Sequence, residues 1–400
     1  MSLPRETLAE NWDEHRVQSF SAKDYGAVLQ GSASEAQLKN VAEQLIKAQN
    51  PMLVTSYLGR SAKAFHALGE LASLLGIRVY EYSSTHNNIS RENAWFCGFD
   101  PSHGFANTDL GILIDTDVPW LPKYSQPEAH TQWIHIDQDP IKKDFPMWGF
   151  ATQTRIQADS ALFLEDLLRV AKQLVHAEHQ AQVAQRLQNV TLLTQDRKTK
   201  LQSEAQNKGT SGAIHPNFLC HTLNQLLDSE DVVLNEAIRH SLAVMNHLPR
   251  NKPKTLFGAA GGGLGYSGGM SLGIRLANPS KRVVQIVGDG GFHFSTPTSV
   301  YSVAQAEGLP IFTVVLDNGG WQAVKEATLR VHPDGYAAQH QDFHAKHTGV
   351  MRQFEQVGAA FGAHAERVNE PDELVPAIQR CMKAVDAGQA AVMVVSIPKL

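Results

Sequence analysis

The sequence predicts an α/β protein with two doubly wound, mainly parallel-sheet domains. Three observations carry this. Apolar runs of strand length recur along the chain, segments with helical spacing separate them, and several runs end in an acid or amide beside glycine or proline. Such alternation favours parallel strands joined by right-handed crossovers, with ligands held beyond the carboxyl ends of the strands.

Residues 1–35 are polar and irregular, an N-terminal extension. "SEAQLKNVAEQLIKAQN" (34–50) then shows helical spacing with Ser34 as its N-cap. "PMLVTSYLG" reads as a buried strand, "SAKAFHALGELASLLG" as an amphipathic helix and "IRVYEY" as a strand. "TDLGILIDTDVPW" and "TQWIHIDQDP" are two further apolar runs closed by acids, and together these make a central domain over 36–175. Residues 176–212 are polar and end in Gly and Ser, which predicts a helix followed by an exposed linker. A second domain covers 213–400, with strands in "DVVLNE", "KTLFGAA", "RVVQIVGD", "IFTVVLDN" and "AAVMVVSI".

Composition supports two ordinary cores: of 400 residues, 42% are hydrophobic and 19% charged. A net charge of −5, with no Lys/Arg run, argues against nucleic acid. No stretch reaches the roughly 18 apolar residues of a membrane span. "MSLPRETLAENWDEH" lacks the basic and apolar regions of a secretion signal. Cys97, Cys220 and Cys381 are odd in number and far apart, forming neither a disulfide framework nor a CxxC pair. They read as buried thiols of a reducing compartment, so a cytoplasmic location is expected.

The most specific signal lies in the second domain. The run "RVVQIVGDGG" puts Asp289 after a buried strand, and "IFTVVLDNGG" puts Asn318 after another, with one helical segment between them. On neighbouring strands about 4.8 Å apart, both side chains reach one cation. A hard ion such as Mg²⁺ takes oxygen ligands and usually some from phosphate. Gly288, Gly290 and Gly291 leave room for a phosphate near a helix start, and the "NGG" turn can aim the Gly320 carbonyl at the same ion.

With these residues in view, the second domain resembles the diphosphate-binding domain of thiamine diphosphate (ThDP) enzymes of the acetolactate synthase and 2-oxo-acid decarboxylase superfamily. The segment "GAAGGGLGYSGGMSLGIRLANP" is similar to the one that precedes the motif, and "DTDVPW" and "IHIDQDP" are similar to the central domain. The resemblance implies ThDP and Mg²⁺ as cofactors, with Asp289, Asn318 and the Gly320 carbonyl on the metal. It implies Leu264 beneath the cofactor and the Gly262 carbonyl, beside Gly263, on the aminopyrimidine. Asp317 stands where the family usually has Asn, and Gly291 where Ser is usual.

The family's activating Glu lies in an N-terminal pyrimidine-binding domain from a neighbouring subunit. The opening "MSLPRETLAE" is similar to the segment that closes that domain. The resemblance therefore implies a large subunit of a split, acetolactate synthase-like enzyme. A separate small subunit would supply the Glu, an α₂β₂ assembly would form through homodimerisation, and a 2-oxo acid would be decarboxylated or ligated. Two alternatives stand beside this: a non-catalytic or regulatory ThDP-binding remnant, and activation by Glu236 in "VVLNEA", where a capping or hydrogen-bonding role competes.

A rival uses the same residues. "GLGYSG" (263–268) fits GxGxxG, with Asp289 downstream as a ribose-binding acid, which would make an NAD(P)-dependent oxidoreductase. It leaves Asn318 without a role. Further candidates near the site are His293, facing the cofactor or packed, and Trp321, packing or walling the substrate. Lys325 reads as a surface helix residue. His332, His340, His344 and His347 form a cluster in which the last three would share one helix face, as a metal site, a substrate-facing group or a solvated loop. The acids of the central domain are expected to be structural.

Overall fold

A computed structural model of the chain describes residues 2–145, 148–259, 262–347 and 352–399. The unit Met1–Gly31 holds one short helix, Arg5–Leu8, and two single 3₁₀ turns. Its described residues are exposed.

The unit Ser32–Leu400 contains two six-stranded sheets. The first comprises β1 (Met52–Thr55), β2 (Arg78–Glu81), β3 (Phe96–Gly98), β4 (Leu110–Ile114), β5 (Gln132–Asp137) and β6 (Thr154–Gln157), in the order β3-β2-β1-β4-β5-β6. A two-stranded antiparallel ribbon, β7 (Gly209–Thr210) with β8 (Ala213–Ile214), follows. The second large sheet comprises β9 (Val232–Glu236), β10 (Leu256–Gly258), β11 (Val283–Gly288), β12 (Phe312–Asp317), β13 (His364–Val368) and β14 (Ala391–Ser396), ordered β10-β9-β11-β12-β14-β13. Every described pairing in both large sheets is parallel. The predicted α/β fold class therefore holds.

Helices cover both faces of these sheets, so the central strands bury every residue rather than alternate ones. At about 1.5–3 kcal/mol for each fully buried large aliphatic side chain, runs such as "MLVT" and "FTVVLD" anchor the two cores. Three strands of the two large sheets escape sequence reading: β3, β6 and β13. All are edge strands. An edge strand packs fewer neighbours, and β6 alternates partly exposed residues with buried Ile156, so no apolar run marks it. The helix Glu35–Lys47 begins at Ser34 as expected. The Ser34 hydroxyl accepts from the Gln37 amide at 3.3 Å and the Gln37 side chain accepts from the Ser34 amide at 3.0 Å.

The segment 176–212 is a helix followed by an exposed stretch, as predicted, and the stretch is more ordered than a linker. It is a 29-residue helix, Ala177–Ala205, followed by the β7–β8 ribbon rather than an open linker. Arg186, near the middle of this helix, is 4% exposed. Its guanidinium donates to the carbonyls of Leu75 and Ala48, the last residue of one helix and the C-cap of another. Arg197 further along donates to Asn246 at 3.2 Å. The helix is a brace, and its polar sequence conceals this because the bracing is done by arginines.

Candidate functional site

β11 and β12 run side by side in register, Gly288 opposite Leu316. That register brings Asp289 and the 317–320 turn together at the carboxyl end of the sheet. Asp289 opens the short helix Asp289–Phe294 and is 3% exposed; Asn318 is 7% exposed. The Asp289 Oδ2 atom accepts from the amides of Gly319 and Gly320, each at 3.0 Å, and Oδ1 from its neighbour Gly290 at 2.8 Å. The Asn318 Oδ1 atom accepts from the Gly320 amide at 3.2 Å. Two side-chain oxygens from two strands thus converge on one turn. The Gly320 carbonyl, the third predicted ligand, accepts from the Gln322 amide at 2.9 Å and keeps a lone pair.

Glycine is required at Gly320, where a Cβ would lie 1.9 Å from the Ala345 carbonyl oxygen. The close approach is an isolated bridge to Lys346, and it seats His347 with Nε2 3.6 Å from Asp289 Oδ2. His347 is therefore at the site. Its predicted companions are not: the helix Tyr336–His340 ends before the others, His332, His340 and His344 are exposed, and His340 packs on Tyr336. The shared helix face expected of His340, His344 and His347 does not form, because Gln341 and His344 take positive φ and break the turn.

His293 is half-buried, its ring centroid 5.0 Å from both His347 and Phe354. Trp321 packs edge-on to His347 at 4.3 Å and crowds Gly290, where a Cβ would meet the indole at 2.6 Å. At Gly291 a Cβ would lie 3.0 Å from Val287 and 3.3 Å from Glu236, which accounts for glycine there. Lys325 lies over the Phe343 ring at 5.3 Å.

Glu236, at the end of β9, is 1% exposed. Its carboxylate accepts from the Gly265 amide, the Ser267 hydroxyl and, at 3.0 Å, the Ser267 amide, which caps the helix Tyr266–Ala277. Both oxygens are engaged at a helix N-terminus, the capping role that competes with its candidacy as the activating acid. Ser267 in turn receives a bond from Gln285 at 2.7 Å, and Gln285 accepts one from Thr313 at 2.9 Å. The polar chain crosses three strands of an otherwise apolar sheet. Its signal in the sequence is Gln285 itself, a lone amide inside "RVVQIV".

Asp317 faces away from Asn318's site. It is ion-paired to Arg352 at 3.0 Å and Arg367 at 2.8 Å while Oδ1 accepts from the Gly319 amide at 3.0 Å. Sequence reading gave it no role. Leu264 is 42% exposed at the start of the helix Tyr266–Ala277. A Cβ at Gly262, Gly263 or Gly288 would meet nothing within 4 Å, so the backbone borders open space at all three. Ala260 and Gly261 of the same segment lie outside the described residues.

The residues fit a divalent cation with a diphosphate. The donor set is a carboxylate, an amide oxygen and a carbonyl, all hard oxygens, and the glycine backbone beside it leaves room for a ligand. The dinucleotide alternative fits less well, since Asp289 serves the 319–320 turn and "GLGYSG" is capped by Glu236.

In the central domain the acids are internally matched. Lys142 reaches Asp137 at 2.7 Å and Asp117 at 2.9 Å, and the Tyr57 hydroxyl oxygen lies 3.0 Å from an oxygen of each acid. Arg60 pairs with Asp115 at 3.2 Å. A cavity of about 820 Å³ lies alongside, bordered by Tyr57, Tyr82, Phe99, Arg197 and Met245. Among the described residues, no helix is long and apolar enough to cross a membrane.

Fold and site together define a doubly wound α/β protein with a candidate ligand site at the carboxyl ends of its strands. Residues 239–395 match the thiamine pyrophosphate enzyme C-terminal TPP binding domain. The acetolactate synthase large subunit of Haemophilus influenzae is 22% identical over 95% of this chain and 65% of its own length. The acetolactate synthase isozyme 3 large subunit of Escherichia coli is 21% identical over 96% of this chain and 64% of its own. This chain thus spans just under two thirds of those curated relatives. Benzoylformate decarboxylase from Polynucleobacter necessarius shares the fold, with TM-score 0.73 at 18% identity over 96% of this chain and 68% of that one. So does the thiamine diphosphate-dependent 4-hydroxybenzoylformate decarboxylase of Rhodococcus jostii RHA1, with TM-score 0.71 at 16% identity over 94% and 66%. Residues 239–395 thus match the thiamine pyrophosphate enzyme family, and the chain is similar along most of its length to acetolactate synthase large subunits.

Proposed function

We propose that this chain is the diphosphate-binding, large subunit of a ThDP- and Mg²⁺-dependent enzyme acting on 2-oxo acids, by decarboxylation or by acetolactate synthase-like carboligation. The observation that carries the reading is the convergence of Asp289 and Asn318, from successive strand ends, on the turn that presents the Gly320 carbonyl. These three groups would hold Mg²⁺, and the backbone at Gly288, Gly290 and Gly291 would lie along the diphosphate. Leu264 and the Gly262 carbonyl would meet the other end of the cofactor. ThDP supplies, when bound, the carbon nucleophile and electron sink that 2-oxo-acid chemistry needs. The chain's own part is to bind and orient: an oxygen cage for the cation, an apolar prop at Leu264, and His293 and Trp321 near the mouth.

The activating Glu would come from a separate small subunit with a pyrimidine-binding domain, in an α₂β₂ assembly. The engagement of Glu236 in a helix cap supports looking for that acid outside this chain. We further propose 36–175 as the central domain and 213–400 as the cofactor domain, braced by the helix between them.

The test is CO₂ release from a panel of 2-oxo acids with ThDP and Mg²⁺. It is run with this chain alone and then with the product of the adjacent reading frame. Activity only in the mixture is expected. Activity from the chain alone would overturn the separate-subunit reading, and ThDP binding without turnover in either case would favour a regulatory remnant.

A further inference from the structure

A second cluster of ligating side chains lies two strands across the sheet from β12, at the edge strand β13. His364 and Glu366 are two residues apart, so they share one face of the strand. That face is covered by the helix Leu374–Asp386, whose Cys381 is 0% exposed. Glu366 Oε1 is the meeting point. His364 Nε2 lies 2.8 Å from it and the Cys381 Sγ 3.6 Å from it. Arg380 engages the other oxygen, Oε2, at 2.5 Å, which fixes the carboxylate with Oε1 turned inward. The three ligand atoms lie within 4.8 Å of one another, and among the described residues this is the one His/Cys/Asp/Glu group so gathered.

We propose that His364, Glu366 and Cys381 form a site for a thiophilic divalent cation of the zinc type, separate from the Mg²⁺ site. The ligand set of one imidazole, one carboxylate and one thiolate suits Zn²⁺ and not Mg²⁺, which prefers oxygen throughout. Tetrahedral bonds of about 2.0–2.3 Å separate ligands by roughly 3.3–3.8 Å, so closure needs His364 to move about half an ångström away from Glu366 and to turn toward Cys381. His364 is the exposed side, its side chain 31% accessible, and leaves the fourth position to water. The cation would clip the sheet's outermost strand to its covering helix. Burial pushes the Cys381 thiol up, so binding releases its proton and tightens as pH rises.

The experiment uses the untagged full chain, stripped of metal and kept in excess Mg²⁺ without ThDP. Co²⁺ is titrated and the thiolate-to-cobalt charge-transfer band is read in the near ultraviolet, with Zn²⁺ competition and a metal count by mass spectrometry. One equivalent is expected, displaced by Zn²⁺, with the band lost in Cys381→Ser and affinity lowered at least tenfold in His364→Gln. No band in the wild type would overturn the proposal. So would a band that survives Cys381→Ser, which would point to Cys97 or Cys220. If Cys381→Ser does not fold, His364→Gln decides, and unchanged affinity there rejects the site.

Discussion

At the scale of single residues, Asp289 does two jobs that can be separated. Its Oδ2 atom holds the Gly319 and Gly320 amides, and its charge would hold the cation. Asp289→Asn keeps an acceptor for the turn and removes the charge. The fold should survive with a loss of about 1–3 kcal/mol, since the new amide nitrogen cannot accept from the Gly290 amide as Oδ1 does. Mg²⁺-dependent ThDP binding should weaken at least tenfold, about 1.4 kcal/mol. Calorimetric titration with ThDP and Mg²⁺, beside a urea melt, reads both, and retained tight binding would sink the metal-ligand assignment. Gly265 makes a second residue-scale case. It sits at φ 84°, where a Cβ would lie 2.4 Å from the Phe294 carbonyl, so Gly265→Ala should cost about 2 kcal/mol or more and displace the cap at Glu236. A lower urea midpoint with an unchanged slope is the expected signature. The oxygens of this site were legible in the sequence because ligand and glycine stand together in "GDGG" and "DNGG". His347 was not. Its place depends on a bridge between Gly320 and Lys346, and no local pattern announces a contact across that many residues.

At the scale of elements, the helix Ala177–Ala205 carries the clearest consequence. Arg186 joins the carboxyl ends of two other helices, where carbonyls lack intrahelical partners and the helix dipole favours a cation. Arg186→Ala would leave buried carbonyls unsatisfied, at about 1–3 kcal/mol each. A loss of roughly 2–4 kcal/mol in urea denaturation is expected. A loss under about 0.5 kcal/mol would show the helix to be an ornament on the fold. The central strands were readable because both faces are buried, which gives continuous apolar runs. Three of the four edges were not, since β6 and β13 mix partly exposed and buried residues, and the bracing role of the long helix was hidden because its polar face is most of its surface. Sequence patterns report burial, and these elements are the ones whose burial is partial.

For the whole molecule, two buried groups of the first sheet set opposing pH dependences. Burial holds His135 down at about 4 from its ordinary 6.5, so the unfolded chain takes up a proton that the folded chain refuses. Stability from this group is full above pH 6.5 and is lost as pH falls toward 4. Burial raises Asp115 to about 6 from 3.8, against the pull of Arg60. Its contribution is full below 3.8 and is lost as pH rises through 6. Each group is worth at most about 1.4 kcal/mol per pH unit in its window, and the two nearly cancel over their overlap. Removing one should expose the other. His135→Phe should make the protein gain stability as pH falls from 6 to 4, relative to wild type, and Asp115→Asn should make it lose stability. Thermal melts of the three proteins across that range test this, and parallel pH profiles would contradict it.

The pairing of Asp317 with Arg352 and Arg367 has a consequence for how the chain can vary. Asp317 is the residue before a proposed metal ligand, yet its partners come from a distant loop and from the edge strand β13. An Asn at 317 would set two guanidinium groups against a neutral amide. Loss of either arginine alone would leave a fully buried carboxylate short of charge. Descendants of this sequence should therefore change all three positions together or none of them, a signature of joint inheritance linking the cofactor turn to an edge strand of its sheet.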